Sequence, residues 1–318
     1  MNDILADAFE VLDGGLFSIV VDKGRFGFAH LGLTQGGPMD PFAYRWANRL
    51  LENNDHAQAL EVSLGGLTLQ ARIQTRLCVT GAVVEVSVNG QPQALWQSFS
   101  VQEGDTIKLG RTRQGVRSYV AVSGGFCVAP QFGSATTVVR EGIGGLHGNK
   151  LKKGDMLPAR EDKQRAGWML PPAHHPHYGQ GLLLRLVPGY QYANFNQEQK
   201  QAFFTHSYRI SSQADRMGYR LKGEAIAHDF KSLWSEGICL GAVQLPGDGQ
   251  PIVLLHDRQT IGGYPKLGAV LSLDCARLSQ CLHGTEVQFE AIPQAMAKAL
   301  LLENRSQDAQ LQQTLIQI

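Results

Sequence analysis

Short apolar runs broken by turn signals about every ten residues are the feature that most limits how this chain can fold. Residues 85–96 show the pattern. Val86 and Val88 alternate with Ser87, Asn89-Gly90 supplies the two positive φ angles of a type I′ turn, and Gln91–Trp96 leads back. Gly104-Asp105 turns into Thr106–Leu109, and Tyr119–Val122 is an apolar run stopped by Gly124-Gly125. Glycine numbers 36 of 318 residues, well above the roughly 7% of an average chain. Such turns favour strands over long helices, and the spacing predicts a mainly β fold with a few helices, a barrel or sandwich.

One helix interrupts the first half. Asp40 is placed to cap it, Pro41 suits the first helical position, and Phe42, Ala43, Trp46, Ala47, Leu50 and Leu51 form one apolar face through Leu51. The second half opens on a strand at 182–187. A helix is expected around 196–205, strands at 252–255 and 286–291, and a short helix from Ser272 to about Leu282. From Pro293 onward a C-terminal helix that frays is expected. The expected domains are 1–160, a linker at 161–181 rich in Pro and Gly, a second domain at 182–292, and the tail at 293–318. The linker holds His174, His175 and His177, which read as solvated because no Cys or carboxylate lies at ligand spacing. Residues 25–32 and 216–223 align without gaps, sharing the Arg, two Gly and the aromatic position, which suggests two related barrels.

Charge and composition exclude several classes. With 29 Lys plus Arg against 28 Asp plus Glu, the net charge is +1, so no basic surplus exists to bind a phosphate backbone. No apolar run reaches the ~18 residues of a membrane helix. The N-terminus lacks a basic region ahead of an apolar stretch, and five widely spaced cysteines without C-x-x-C suit reduced thiols, so a cytoplasmic location is expected.

Three segments concentrate groups capable of chemistry. The densest is 257–268, after the apolar strand. Asp257 is a candidate base or orienter of Arg258, Arg258 can clamp an anion, and Gln259, Thr260 and Tyr264 add polar groups. The Gly262-Gly263 turn lets backbone N–H groups approach an oxyanion. The second segment is Asp215, Arg216 and Arg220, again suited to an anion. The third is the glycine-rich stretch holding Arg25 and His30, which leads into the helix N-terminus at Asp40. A turn with a surface ion pair would have a similar composition in each case. No phosphate-loop signature and no G-x-S-x-G elbow occurs.

Taken together, V-x-D-x-G-R-x-G-F/Y-x-H-x-G-x-x-x-G-G-x-M-D at 20–40, A-L-E-x-x-L-G-G at 59–66, A-D-R-M-G-Y-R-L at 214–221, and E-G-I-C-L-G-A-V-Q-x-P-x-D-G-Q-P-I running into D-R-Q-T-I-G-G-Y-P-K-L-G resemble the biotin-dependent carboxyltransferase family. That family includes the C component of 5-oxoprolinase, the second subunit of allophanate hydrolase and half of the carboxyltransferase region of urea amidolyase. The resemblance covers about residues 12–292. It implies two cyclophilin-like β-barrel domains. It also implies an ATP-dependent complex opening 5-oxoproline to glutamate; for that reaction the residues themselves suggest Arg258, Arg216 and the Gly262-Gly263 turn as the anion-holding catalytic groups, with Asp257 as base or orienter of Arg258. ATP would be shared with partner subunits: a companion protein like the B component of 5-oxoprolinase, and an A component of the lactam-utilisation type. No biotin-attachment Met-Lys-Met is present. Urea-derived carboxyl or amide transfer, or regulation through binding a histidine-kinase inhibitor protein, are the other roles the family implies. Two positions depart from the family: Val21 stands where an amide is usual, and Ala135 where a basic residue is usual.

Overall fold

The computed structural model describes residues 6–164, 167–179, 181–228, 230 and 233–318. The N-terminal residues 1–5 and the linker positions 165, 166 and 180 lie outside them. The fold is mainly β with a few helices, as expected, and it divides into two compact units. One comprises residues up to Phe26, Gly36–Tyr178 and Leu311–Ile318; the other comprises Gly27–Gln35 and Gly179–Gln310.

The first unit is a curled nine-stranded sheet. Its path runs Phe17–Val21, Ala59–Ser63, Thr106–Val122, Leu67–Ala71, Ala6–Gly14 and Met156–Ala159, with Thr75–Val88 pairing alongside Thr106–Val122. The expected hairpin is present: Val86 pairs with Gln93 and Val88 with Gln91, and Asn89 and Gly90 hold φ of 51° and 81°. Thr106–Leu109 and Tyr119–Val122, which look like two strands, are instead the ends of one 17-residue strand. Register shifts against its partner absorb the intervening polar residues, a job bulges do by adding a residue on one side. The helix Pro41–Arg49 forms where Asp40 accepts the Ala43 N–H, and it stops two residues before Leu51. Trp46, Ala47, Leu50 and Leu51 are buried with Ile19, Val21 and Tyr119, while Phe42 is only partly buried.

A carboxylate locks the loop ahead of that helix. Asp22 accepts the Gly24 N–H at 2.9 Å, the Ala135 N–H at 2.6 Å, and the Ser134 and Thr136 hydroxyls at 2.5 and 2.7 Å. The two positions read from the sequence as departures from the resembled pattern, Val21 and Ala135, flank this network. Val21 and Ala135 are fully buried in apolar clusters, so each side chain serves packing while the Ala135 backbone holds Asp22.

The second unit is a closed seven-stranded barrel: Leu182–Pro188, Lys266–Val270, Ala242–Gln244, Ile252–Leu254, Gly218–Lys222, Tyr208–Ala214 and Glu286–Ala291, with the last strand parallel to the first. Phe203, from the helix Gln197–Thr205, packs on Phe289 at 4.5 Å between ring centroids, and Asn196 caps that helix in a reciprocal box with Gln199. Arg185 grips the fully buried Asp274 with its Nε at 2.8 Å and Nη2 at 2.6 Å, fixing the helix Ser272–Ser279.

Three expectations change. The aligned stretches 25–32 and 216–223 fold differently: one contains the 3₁₀ turn Ala29–Leu31, the other the barrel strand Gly218–Lys222. A match of side-chain types over eight residues therefore does not mark a structural repeat. The C-terminal helix Gln294–Leu311 does not simply fray into an end, because Ile316–Gln317 pairs with Trp168–Met169, and Leu311 and Leu315 pack on the first unit's core. His175 is not a freely solvated group either. It stacks on Trp96 at 5.2 Å with its Nε2 2.8 Å from the Leu170 carbonyl oxygen.

This packing has measurable consequences at Asp22 and His175. Asp22→Ala strands four donors at once and should cost about 3 kcal/mol or more of unfolding free energy, read by urea denaturation; a wild-type midpoint would contradict the role given to Asp22. His175 has its pKa held below the ordinary 6.5, chiefly by desolvation. The unfolded chain then takes up the proton first as pH falls, so this contribution is complete above pH 6.5 and declines below it. Between about pH 7.5 and pH 5.5, a window spanning that ordinary value, wild type should lose more melting temperature than His175→Gln.

Candidate active site

The strands Gly218–Lys222 and Ile252–Leu254 run antiparallel, with Tyr219 opposite Val253 and Arg220 opposite Ile252. Gly218 is required by proximity, since a Cβ there would sit 2.9 Å from the Val253 carbonyl oxygen. Beyond the strand ends the ladder continues, with Leu255 N–H donating to the Met217 carbonyl and Asp257 N–H to the Arg216 carbonyl, each at 2.8 Å. The same two residues then join through their side chains. Arg216 Nε and Nη2 each meet an Asp257 oxygen at 2.8 Å, both residues being buried. Asp257 is thus committed to Arg216 rather than to its neighbour Arg258. Asp215, exposed, accepts the Met217 N–H at 2.8 Å and shapes the turn.

Side chains alternate across these strands. Val243, Val253 and Tyr219 form one cross-strand row, fully or almost fully buried. The next row, Gln244, Ile252 and Arg220, faces the other side. That second row floors a cleft of about 440 Å³ walled by Asp215, Met217, Gln259 and Tyr264. Gln244 is only 1% exposed, and its Nε2 has no hydrogen-bond partner among the described residues. Gln259 comes in from the loop above. A Cβ built on Gly262 would lie 3.0 Å from Gln244 Nε2, 3.6 Å from Gln259 Nε2 and 2.6 Å from Ile238 Cδ1. Two side-chain amides therefore converge on Gly262, and the missing side chain is what lets them do so. Tyr264, half exposed, stands at the mouth.

The remaining candidates lie elsewhere. Arg258 is partly buried beside the cleft. Its Nε donates to the Ile238 carbonyl at 3.1 Å and its Nη1 to the Leu255 carbonyl at 3.2 Å, while its own carbonyl accepts the Thr34 hydroxyl. Desolvation lowers its pKa from the usual guanidinium value, and a guanidinium stays cationic at neutral pH. The Thr260 carbonyl holds the Ile238 N–H at 3.0 Å. Gly263 faces the backbone, where a Cβ would meet the Leu233 carbonyl oxygen at 2.9 Å. Arg25 belongs to the first unit and is spent on the Gln131 and Thr136 carbonyls. His30 is exposed on the Ala29–Leu31 turn. Of the candidates read from the sequence, the cleft brings together Asp215, Arg220, Gln259 and Tyr264, with Gly262 at its edge.

Two further groups stand in the E-G-I-C-L-G-A-V-Q motif but are assigned no role by the sequence reading. One is Gln244; its signal is an amide closing the short apolar strand Ala242–Gln244 ahead of Leu245-Pro246. The other is Glu236, which binds Gln191 Nε2 at 2.9 Å and pairs with Lys266. No group of three or more His, Cys, Asp or Glu residues that could hold a metal ion occurs among the described residues. Nor is any helix among them long and apolar enough to cross a membrane.

Known proteins resemble this chain over most of its length. The family model "carboxyltransferase domain, subdomain A and B" matches residues 31–291. The C subunit of 5-oxoprolinase from Escherichia coli (strain K12) is 36% identical over 283 residues, 88% of this chain and 90% of that protein. The C subunit of 5-oxoprolinase from Haemophilus influenzae is 33% identical over 301 residues, 93% of this chain and 94% of that protein. The crystal structure of the K. lactis urea amidolyase superposes with a TM-score of 0.87 at 25% identity, covering 97% of this chain and 20% of that one. The strands that build the cleft and the residues that line it all fall inside the matched span, and the chain belongs to the carboxyltransferase domain, subdomain A and B, family.

Proposed function

We infer that this chain is the C-type subunit of an ATP-dependent 5-oxoprolinase, acting with a companion B-like subunit and a lactam-utilisation-type A component in the cytoplasm to open 5-oxo-L-proline to L-glutamate. The observation that carries this reading is end-to-end likeness to two 5-oxoprolinase C subunits, which it matches over 90% and 94% of their length. Against urea amidolyase it accounts for only a fifth of the protein. Urea-derived transfer is the second reading, favoured by the TM-score of 0.87 to that enzyme.

A lactam is a poor electrophile, and ATP supplies the activation by making its oxygen a leaving group. The cleft of this chain is poorly suited to a nucleoside triphosphate, because the one Lys or Arg among the described residues that line it, Arg220, is already ion-paired. Arg220 is paired with Asp248 and Arg216 with Asp257, and no phosphate loop is present. The nucleotide therefore belongs with the partner subunits, and this chain's share is to bind and orient the organic substrate. Gln259 and Gln244 offer amide groups to it, and Met217, Ile252 and Leu254 offer apolar walls. The Arg216–Asp257 pair fixes the floor, and Arg258 fixes the Ile238 and Leu255 carbonyls behind it.

In the reconstituted complex, Gln259→Ala and Arg258→Ala should each lower kcat/KM for 5-oxoproline-dependent ATP turnover at least tenfold; full activity in both would remove the site assignment. Arg216→Ala should destabilise the fold by about 3–5 kcal/mol by stranding a buried carboxylate. Arg216→Met with Asp257→Leu should recover most of that loss. A double variant no more stable than the single one would show that Arg216 does more than neutralise Asp257. The isolated chain should melt cooperatively yet turn over neither ATP nor 5-oxoproline, and turnover by the chain alone would overturn the division of labour.

A further inference from the structure

The geometry points to Gln244 as the residue that determines which amides enter the cleft, by pairing edge to edge with a cis-amide, the group shared by lactams and ureas. This deepens the functional reading above and rests on it. Gln244 is 1% exposed, lines the cleft and has an enclosed Nε2 without a partner among the described residues. Leaving such a donor unmet is costly, so a residue of this kind on a cavity wall is matched to something the cavity receives.

The chemistry of the amide narrows what that something is. A primary carboxamide carries one N–H donor and one C=O acceptor side by side on one edge. A cis-amide shows the complementary pair on one edge, so two parallel hydrogen bonds close a ring. A trans secondary amide holds its N–H and C=O on opposite sides and can make only one of the two bonds. A carboxylate has acceptors alone. The match survives rotation of the Gln244 amide by about 180°, because a lactam turned over presents the same pair in reverse order. The surroundings suit a small ring: Ile252 lies directly across the strand pair from Gln244, and Met217 and Leu254 complete an apolar wall. Gly262 supplies the room, since a Cβ there would stand 3.0 Å from the Gln244 nitrogen. Gln259, whose Nε2 lies 3.6 Å from the same point, is placed to reach the outer lone pair of the bound carbonyl.

The test uses the purified complex and three small probes: 2-pyrrolidone, N-methyl-2-pyrrolidone and urea, with dissociation constants from saturation-transfer NMR. Wild type should bind 2-pyrrolidone at least tenfold tighter than its N-methyl form, which lacks the edge donor. Gln244→Leu should abolish that preference and raise KM for 5-oxoproline tenfold or more, with a smaller change in kcat. Gly262→Ala, which crowds the amide without removing it, should weaken 2-pyrrolidone in the same direction and serves if the leucine variant fails to fold. Equal binding of the two lactams to wild type, or a preference that persists in folded Gln244→Leu, overturns the proposal. Turnover of 5-oxoproline with a KM indifferent to Gln244 overturns it while leaving the functional reading intact. A Gln244-dependent preference in a complex without 5-oxoprolinase activity supports it while removing that reading, and tight urea binding then names the substrate source.

Discussion

The bidentate contact between Arg216 and Asp257 is what the second unit's cleft depends on. It joins the turn before Gly218–Lys222 to the loop after Ile252–Leu254, 41 positions apart in sequence, and it caps a backbone ladder that links the same two segments. A buried guanidinium or carboxylate alone would be strongly unfavourable, so neither segment can move without the other. The cleft floor consequently does not need a ligand to form. Arg258 extends this rigidity by binding two carbonyls, one from Ile238 and one from Leu255, which sets the height of the ribbon formed by Glu236–Gly237 and Ile261–Gly262. The position of Gly262 over the Gln244 amide follows from that ribbon.

Much of the fold was legible in the sequence because it rests on local chemistry. Asn89-Gly90 dictates a hairpin wherever it sits, Asp40-Pro41 and Asn196 start helices by satisfying their first N–H groups, and alternation in Glu286–Ala291 marks a strand with one buried face. What was not legible depends on partners far along the chain. Thr106–Val122 is a single strand because Thr75–Val88 pairs with it along nearly its whole length, and its polar middle gives no local sign of that. His175 looks solvated within a Pro-rich stretch until Trp96, far earlier in the chain, stacks on it. The final residues look ragged until Trp168–Met169 offers them an edge.

The candidate site divides in the same way. Arg25, Arg216, Asp257 and Arg258 stand out in the sequence by charge, and all of them are occupied in holding the backbone or one another. Charged groups that must be buried are costly unless matched, and a fold that buries them matches them. Charge clustering in this sequence thus marks junctions where segments distant in the chain meet. Gln244 carries no charge to flag it; only its place in the E-G-I-C-L-G-A-V-Q motif sets it apart, since one amide at the end of an apolar strand is compositionally ordinary.

That contrast bears on how the two units divide their work. In the first, the Asp22 carboxylate takes four donors, Arg25 donates to two carbonyls, and Val21 and Ala135 are apolar side chains with no exposure. Polar groups there are matched inward, and the arrangement stabilises the loop leading to the Pro41–Arg49 helix. In the second, the ion pair is equally closed, but the next row of the sheet carries a buried amide on the cleft wall whose donor is unmatched among the described residues. Binding the neutral amide part of a ligand requires unspent hydrogen-bonding capacity held rigidly in a low-dielectric setting. Of these two networks, only the second offers it. The cations near this wall are already committed, Arg216 to Asp257, Arg220 to Asp248 and Arg258 to the Ile238 and Leu255 carbonyls, so a buried amide rather than a guanidinium is what the wall holds out to a ligand.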